Sequence, residues 1–229
     1  MRSGMARSRQ RRTPRAAPRR IAVLVADDHP IVRQGLRRIL EDAPDLAVAG
    51  EATNAREVLE HVRRGGCDIV LLDLVIPGAN GLELLEQVLR ERPGLPVLVL
   101  TMYPEEQFAV RAFQSGAAGY LNKEGAPEQL LEAIRKVHAG GRYVTPSLAE
   151  RLAADLSRAA PRVPHELLSN REHQVLCLLA KPLSVKQIAQ QLHLSEKTVS
   201  TYRTRVLEKL RLETTAALIR YAIENRLVD

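Results

Sequence analysis

The sequence predicts an α/β protein, with a five-stranded, doubly wound parallel sheet followed by a small all-α helix-turn-helix domain. Three observations carry this prediction. Between Ile21 and Val137, short apolar runs bounded by turn residues alternate with segments of helical apolar spacing, and that alternation means a parallel sheet with helices on both faces. Polar residues stand at the carboxyl ends of four of the runs. Beyond about residue 165 the strand pattern stops and helical spacing alone remains.

The central run is Asp68-Ile69-Val70-Leu71-Leu72-Asp73, bounded by Gly65-Gly66 and Pro77-Gly78. So short and apolar a segment reads as a fully buried parallel strand, which leaves Asp73 at the rim where open α/β sheets bind ligands. Ile21 to Ala26 ends in Asp27-Asp28, Val97 to Leu100 ends in Thr101, and Gly119-Tyr120-Leu121 leads to Lys123. Leu46 to Gly50 is the fifth strand. The helices between them are expected at Ile31–Leu40, Ala55–Val62, Leu82–Leu89, Glu106–Phe113 and Pro127–Val137, the last with proline near its start, where a missing donor does no harm.

Taken singly, an Asp after a strand is a turn or cap residue and a Lys is a solvated amine. Five such residues in order at one rim are a site. Asp27, Asp28 and Asp73 would repel one another unless a hard cation neutralised them, and carboxylate oxygens with free water positions suit Mg²⁺. The cation would offset charge during phosphoryl transfer, while Thr101 and Lys123 hold the remaining phosphoryl oxygens. Asp73 is then the nucleophile.

Asp27-Asp28-His29-Pro30, Asp73 with Pro77-Gly78, Thr101 and Gly119-Tyr120-Leu121-Asn122-Lys123 resemble the receiver domain of bacterial two-component response regulators, over about residues 21 to 141. The resemblance implies a flavodoxin-like fold, phosphorylation of Asp73 by a sensor histidine kinase, and Mg²⁺ held by Asp27, Asp28, Asp73 and the Val75 backbone carbonyl. It implies a switch in which Tyr120 turns inward as Thr101 moves. By itself, Tyr120 on an edge strand reads as half-buried packing surface. Val75 and Met102 fall where receivers tune access to the phosphoryl group.

Charge is segregated: the net +7 is +8 over residues 1–20, −6 over 21–141, +2 over 142–164 and +3 over 165–229. The basic balance is therefore largely the tail, and it says little about nucleic acid. Residues 1–20 mix Arg with Ser, Pro and Gly, and such a segment is expected to be disordered and dispensable. A phosphate-binding arm is the alternative. Two distant cysteines, Cys67 and Cys177, exclude a disulfide framework and fit a reducing bacterial cytoplasm. No run of the sequence approaches a membrane span.

Residues 142–164 read as a linker with a short helix from Leu148 to Leu156 and a hinge at Ala159–Pro164. The second domain, 165–229, is expected to hold helices at Asn170–Ala180, Val185–Leu192, Glu196–Leu210 and Thr215–Asn225. Ser195 caps the third, and the middle pair is a helix-turn-helix, whose second helix enters the major groove. Val199, Val206 and Leu210 would face the core. Leu168-Ser169-Asn170-Arg171-Glu172, Ile188-Ala189 and Leu194 to Tyr202 resemble the LuxR-type DNA-binding domain, and with the receiver this is the NarL/FixJ architecture. Pro182 and Arg211 depart from that pattern, standing where the family has Gly.

Expected DNA contacts are Lys186, Lys197, Ser200, Thr201, Arg203, Thr204, Arg205 and Lys209. The basic chains would meet phosphates; the hydroxyls read bases less sharply than bidentate side chains. Leu218, Tyr221 and Ala222 on the last helix are expected at a dimer contact. The reading is a phosphorylation-switched transcriptional regulator rather than an enzyme, with promoter DNA, a histidine kinase and a second copy as partners, and RNA polymerase as a further candidate. An aspartyl-phosphate phosphatase is the rival. Haloacid-dehalogenase-type enzymes place an acid two residues beyond the nucleophile, and here that residue is Val75.

Overall fold

The computed structural model describes residues 19–125, 127–146, 148–150, 164–225 and 227–228. Five strands, β1 (Ile21–Ala26), β2 (Leu46–Ala52), β3 (Ile69–Leu72), β4 (Val97–Thr101) and β5 (Gly119–Asn122), form one parallel sheet in the order β2-β1-β3-β4-β5. Helices α1 (Pro30–Glu41), α2 (Ala55–Arg64), α3 (Gly81–Glu91), α4 (Glu105–Gln114) and α5 (Pro127–His138) connect and follow them. Each lies within three residues of its expected boundary.

Alternation along the strands divides the core in two. Val23, Val25, Ile69, Leu71, Leu98 and Leu100 pack with residues of α1 and α5 on one face, and Leu24, Ala26, Val70, Leu72, Val97 and Val99 pack with α2, α3 and α4 on the other. β3 is buried at every residue, as a central parallel strand requires. The order reverses at β1 and β3, so the crevice between them opens at their carboxyl ends, where Asp27 and Asp73 emerge. Side-chain caps fix the helices near that rim: Asn54 accepts from Glu57 N at 3.0 Å and Asn80 from Leu82 N at 2.9 Å. Gly81 allows α3 to close on the loop after Asp73, since a Cβ there would lie 2.3 Å from Leu74 Cα.

After α5 the chain runs along β5, where Tyr143 N donates to Ala118 O at 3.0 Å and blunts the sheet edge. The expected linker helix begins at Pro146. Its remainder, with most of the hinge and nearly all of the basic tail, lies outside the described residues. Arg19 is described and pairs with Asp68 at 3.0 Å.

A 3-10 turn (Pro164–Leu167) leads into α6 (Asn170–Leu179), α7 (Val185–Gln191), α8 (Glu196–Leu210) and α9 (Thr215–Glu224). Ser169 and Ser184 form capping boxes with Glu172 and Gln187, and Ser195 caps α8. Val199, Val206 and Leu210 are buried as expected. Arg211 ends α8 at φ 56°, ψ 42°, the left-handed cap conformation that glycine takes more cheaply.

Helix α6 has no solvent face, for every residue from Arg171 to Leu179 is buried. Part of it closes the helical domain's core. His173 and Gln174 meet the receiver: the Phe108 and His173 rings pack edge to face at 5.3 Å, and Gln174 Nε2 donates to the Tyr103 hydroxyl at 2.9 Å. Arg111 on α4 donates to Leu168 O at 2.9 Å and His165 O at 2.8 Å. These contacts satisfy the polar groups that burial would otherwise penalise.

Candidate functional site

Four strand ends converge on the carboxylates, and backbone bonds hold them in place. Asp73 N donates to Ala26 O at 2.9 Å and Lys123 N donates to Thr101 O at 2.9 Å, while Arg33 fixes the Asp27 carbonyl at 2.8 Å. Asp27, Asp73 and Thr101 are 1%, 3% and 0% exposed. Lys123 Nζ lies 2.6 Å from Asp73 Oδ2 and 2.6 Å from Asp27 Oδ2, so one ammonium spans two acids. Asp73 Oδ1 accepts from Val75 N at 3.1 Å, and Asp27 Oδ1 accepts from His29 N at 2.8 Å. Asp28 lies 2.8 Å from His29 Nδ1.

Burial raises the Asp73 pKa above the usual carboxylate value, although Lys123 and the Val75 amide pull it down. Burial opposes the Lys123 charge, yet Asp73 and Asp27 outweigh it and hold that pKa above the ordinary lysine value. Three carboxylates and one ammonium leave surplus negative charge. Among the described residues, Asp27, Asp28, His29 and Asp73 have ligand atoms within 4.8 Å of one another. Asp27 Oδ2 and Asp28 Oδ1 are buried with ion-pair neighbours but without an aligned hydrogen-bond donor. This donor set fits a hard divalent cation.

Tyr120 is fully buried, and its hydroxyl donates to Tyr103 O at 2.9 Å. The half-buried packing role expected of it gives way to full burial, with the loop after β4 bonded to its hydroxyl. Thr101 Oγ1 lies 3.5 Å from Tyr103 N. Sequence reasoning missed Tyr103, which stacks on Phe108 at 4.4 Å and touches Gln174; its one local signal is its place two residues after Thr101. It also missed His193, whose Nε2 lies 3.1 Å from Asp28 Oδ2.

In the helical domain, Lys186, Lys197, Thr201, Thr204 and Arg205 are exposed, and Ser200 and Arg203 are half-buried. The Thr201 and Thr204 hydroxyls donate to Lys197 O at 2.9 Å and Ser200 O at 3.1 Å, which occupies their protons and leaves the oxygens as acceptors. Lys209 is also exposed, and its ammonium pairs with the buried Glu172 at 2.6 Å, an ion pair that ties α8 to α6. Leu218 and Ala222 are 0% exposed. They close the domain's own core and are not available for a dimer contact, whereas Tyr221 is half-buried and bonds His165 Nδ1 at 3.0 Å.

Comparison with known proteins agrees with this anatomy. Residues 23–135 match the response regulator receiver domain, and residues 166–222 match the bacterial regulatory proteins of the luxR family. The chain is 38% identical over 212 residues to response regulator UvrY of Escherichia coli K12, covering 91% of this chain and 96% of that one. It is 40% identical over 212 residues to response regulator GacA of Pseudomonas aeruginosa, covering 91% and 98%. Among solved structures, RcsB from Salmonella typhimurium superposes with a TM-score of 0.63 at 30% identity, covering 89% and 96%. The heme-sensing system's response regulator ChrA gives 0.50 at 36%, covering 91% and 98%. With a receiver rim of acids, hydroxyl and amine joined to a helix-turn-helix, the chain belongs to the two-component response regulators of the NarL/FixJ type, which regulate transcription by binding DNA.

Proposed function

We propose that Asp73 is the phospho-acceptor and that the phosphoryl donor is a phosphohistidine of a sensor kinase. The observation that carries this reading is the Lys123 ammonium shared between Asp73 and Asp27, beside carboxylate oxygens that lack aligned donors. Asp27, Asp28, Asp73 and the Val75 carbonyl would hold Mg²⁺, which when bound supplies positive charge opposite the transferring group. Asp73 Oδ forms the new O–P bond as the N–P bond of the donor breaks, with the electron pair leaving on the imidazole. The Val75 amide holds Asp73 Oδ1 and so orients the carboxylate for in-line attack. Lys123 then turns from Asp73 to a phosphoryl oxygen, and Thr101 donates to another.

The DNA contacts are Lys186, Lys197, Arg203 and Arg205 to phosphates, with Ser200, Thr201 and Thr204 facing the groove. A second copy joins when the protein is phosphorylated; the similar RcsB has been seen as dimers bound to DNA, which supports this. Pairing on a palindromic site would place half-sites about 10 base pairs apart.

Incorporation from a small phosphodonor with Mg²⁺ tests the reading. Asp73→Asn keeps the shape and removes the nucleophile, so labelling should vanish, and chelating Mg²⁺ should abolish it in the wild type. Normal labelling of the variant would sink the assignment. For the second copy, phosphorylation should tighten binding to a two-half-site operator far more than to one half-site at fixed salt. Equal enhancement would rule pairing out as the link.

A further inference from the structure

A residue of the DNA-binding domain ends at the carboxylates that would hold the metal. His193 occupies the turn between α7 and α8 at φ 53°, a left-handed conformation that histidine, like asparagine and aspartate, takes more readily than other side-chain-bearing residues, and that backbone carries its ring to Asp28 Oδ2 at 3.1 Å. The other Asp28 oxygen faces His29 Nδ1 at 2.8 Å. Gln190, Gln191 and His193 wall one side of a cavity of about 660 Å³, whose other side includes Asp73 and Lys123. Mg²⁺ demands near-octahedral oxygen coordination and keeps several waters. An imidazole against Asp28 takes both an acceptor oxygen and the space those waters need.

We propose that His193 competes with the cation for Asp28, so that metal binding and seating of the helix-turn-helix turn on the receiver oppose each other. This rests on the metal reading of the carboxylate cluster given above. Mg²⁺ alone then unseats the turn before any phosphoryl group arrives, and the seated turn weakens Mg²⁺ binding by the same factor. Other contacts between the domains, among them Gln174 to Tyr103, His173 to Phe108 and Arg111 to the Leu168 and His165 carbonyls, do not touch the carboxylates. The cation therefore loosens one corner of the interface and leaves the rest in place.

The test uses the full chain. His193→Gly keeps the left-handed backbone and removes the ring, and His193→Asn tolerates the same conformation with a shorter side chain. Mg²⁺ affinity is measured by calorimetry, and amide exchange across residues 190–194 is measured with and without Mg²⁺. Both variants should bind Mg²⁺ about fivefold or more tightly than wild type. In the wild type Mg²⁺ should speed exchange in the turn while protection of α6 is kept. Equal Mg²⁺ affinity in all three proteins, with turn exchange indifferent to the ion, overturns the competition and leaves the metal site standing. No Mg²⁺ binding in any of them, at concentrations that bind ordinary carboxylate sites, removes the metal reading and this proposal together.

Discussion

Replacing Lys123 with methionine should destabilise the receiver severely in the absence of metal. The ammonium is 7% exposed and lies 2.6 Å from both Asp27 and Asp73, and methionine fills nearly the same volume without the charge. What remains is three carboxylates facing one another in a largely buried rim. Removing one partner of a buried ion pair typically costs about 3–5 kcal/mol, because the other partner is left uncompensated. For a domain of this size that corresponds to a fall in midpoint on the order of 10 °C. The assay is urea denaturation at pH 7.5 in chelator, repeated in Mg²⁺. The ion should restore much of the loss, since saturation at a hundred times Kd contributes about 2.7 kcal/mol, and losing the competing ammonium should tighten its binding. Adding Asp73→Asn to Lys123→Met should also recover stability in chelator, by removing one carboxylate. A Lys123→Met protein that unfolds at the wild-type urea concentration in chelator would refute the reasoning, because the ammonium would then not be holding the cluster together.

The interface between the domains offers a second perturbation: Arg111→Ala removes charge-assisted bonds to two carbonyls. It should shift the arrangement toward separation by about 2–4 kcal/mol, read as a larger radius of gyration in small-angle scattering; an unchanged radius would mean that the aromatic contacts suffice. His173 should make the same interface acid-sensitive. Burial, then Arg111 and His165, lower its pKa to about 3, so the stabilisation is complete above the unfolded value near 6.5 and falls by about 1.4 kcal/mol per pH unit below it. Interdomain separation should therefore rise between pH 6.5 and 5, and His173→Phe should flatten that dependence. On DNA, Arg205→Ala should weaken binding across sequences and reduce the salt slope by about 1. Lys209→Ala should instead lower the melting midpoint of the helical domain, since it leaves Glu172 buried without its cation, and should leave the salt slope unchanged.

The receiver was legible in the sequence because its rules are local. A buried parallel strand must be apolar on both faces, so β3 announces itself as an unbroken run, and the polar residue that ends each strand necessarily arrives at the rim. The start of α8 is legible from Ser195 for the same reason. The misreadings have one physical source. An apolar helical face looks alike whether it closes its own domain or meets another copy, and Leu218 and Ala222 do the former. A lysine carries no partner in sequence, and the exposed Lys209 pairs with the buried Glu172. Tyr103 and Gln174 lie 71 positions apart, and His193 and Asp28 belong to different domains. No periodicity or cap reports a contact made by docking two finished folds.

The sequestration of α6 makes Cys177 a clock that the protein carries within itself. Its thiol is 1% exposed, and burial pushes its pKa up to about 12, so thiol reagents react with it slowly while the domains are joined. Its Sγ lies 3.8 Å from Nδ1 of His173, one helical turn away, whose ring packs on Phe108 of the receiver. Cys67, the other cysteine, is buried beneath Arg92 within the receiver, and parting the domains does not uncover it. The labelling rate of Cys177 relative to Cys67 thus measures how long the two halves of the unlabelled, unmutated chain spend apart under any set of conditions.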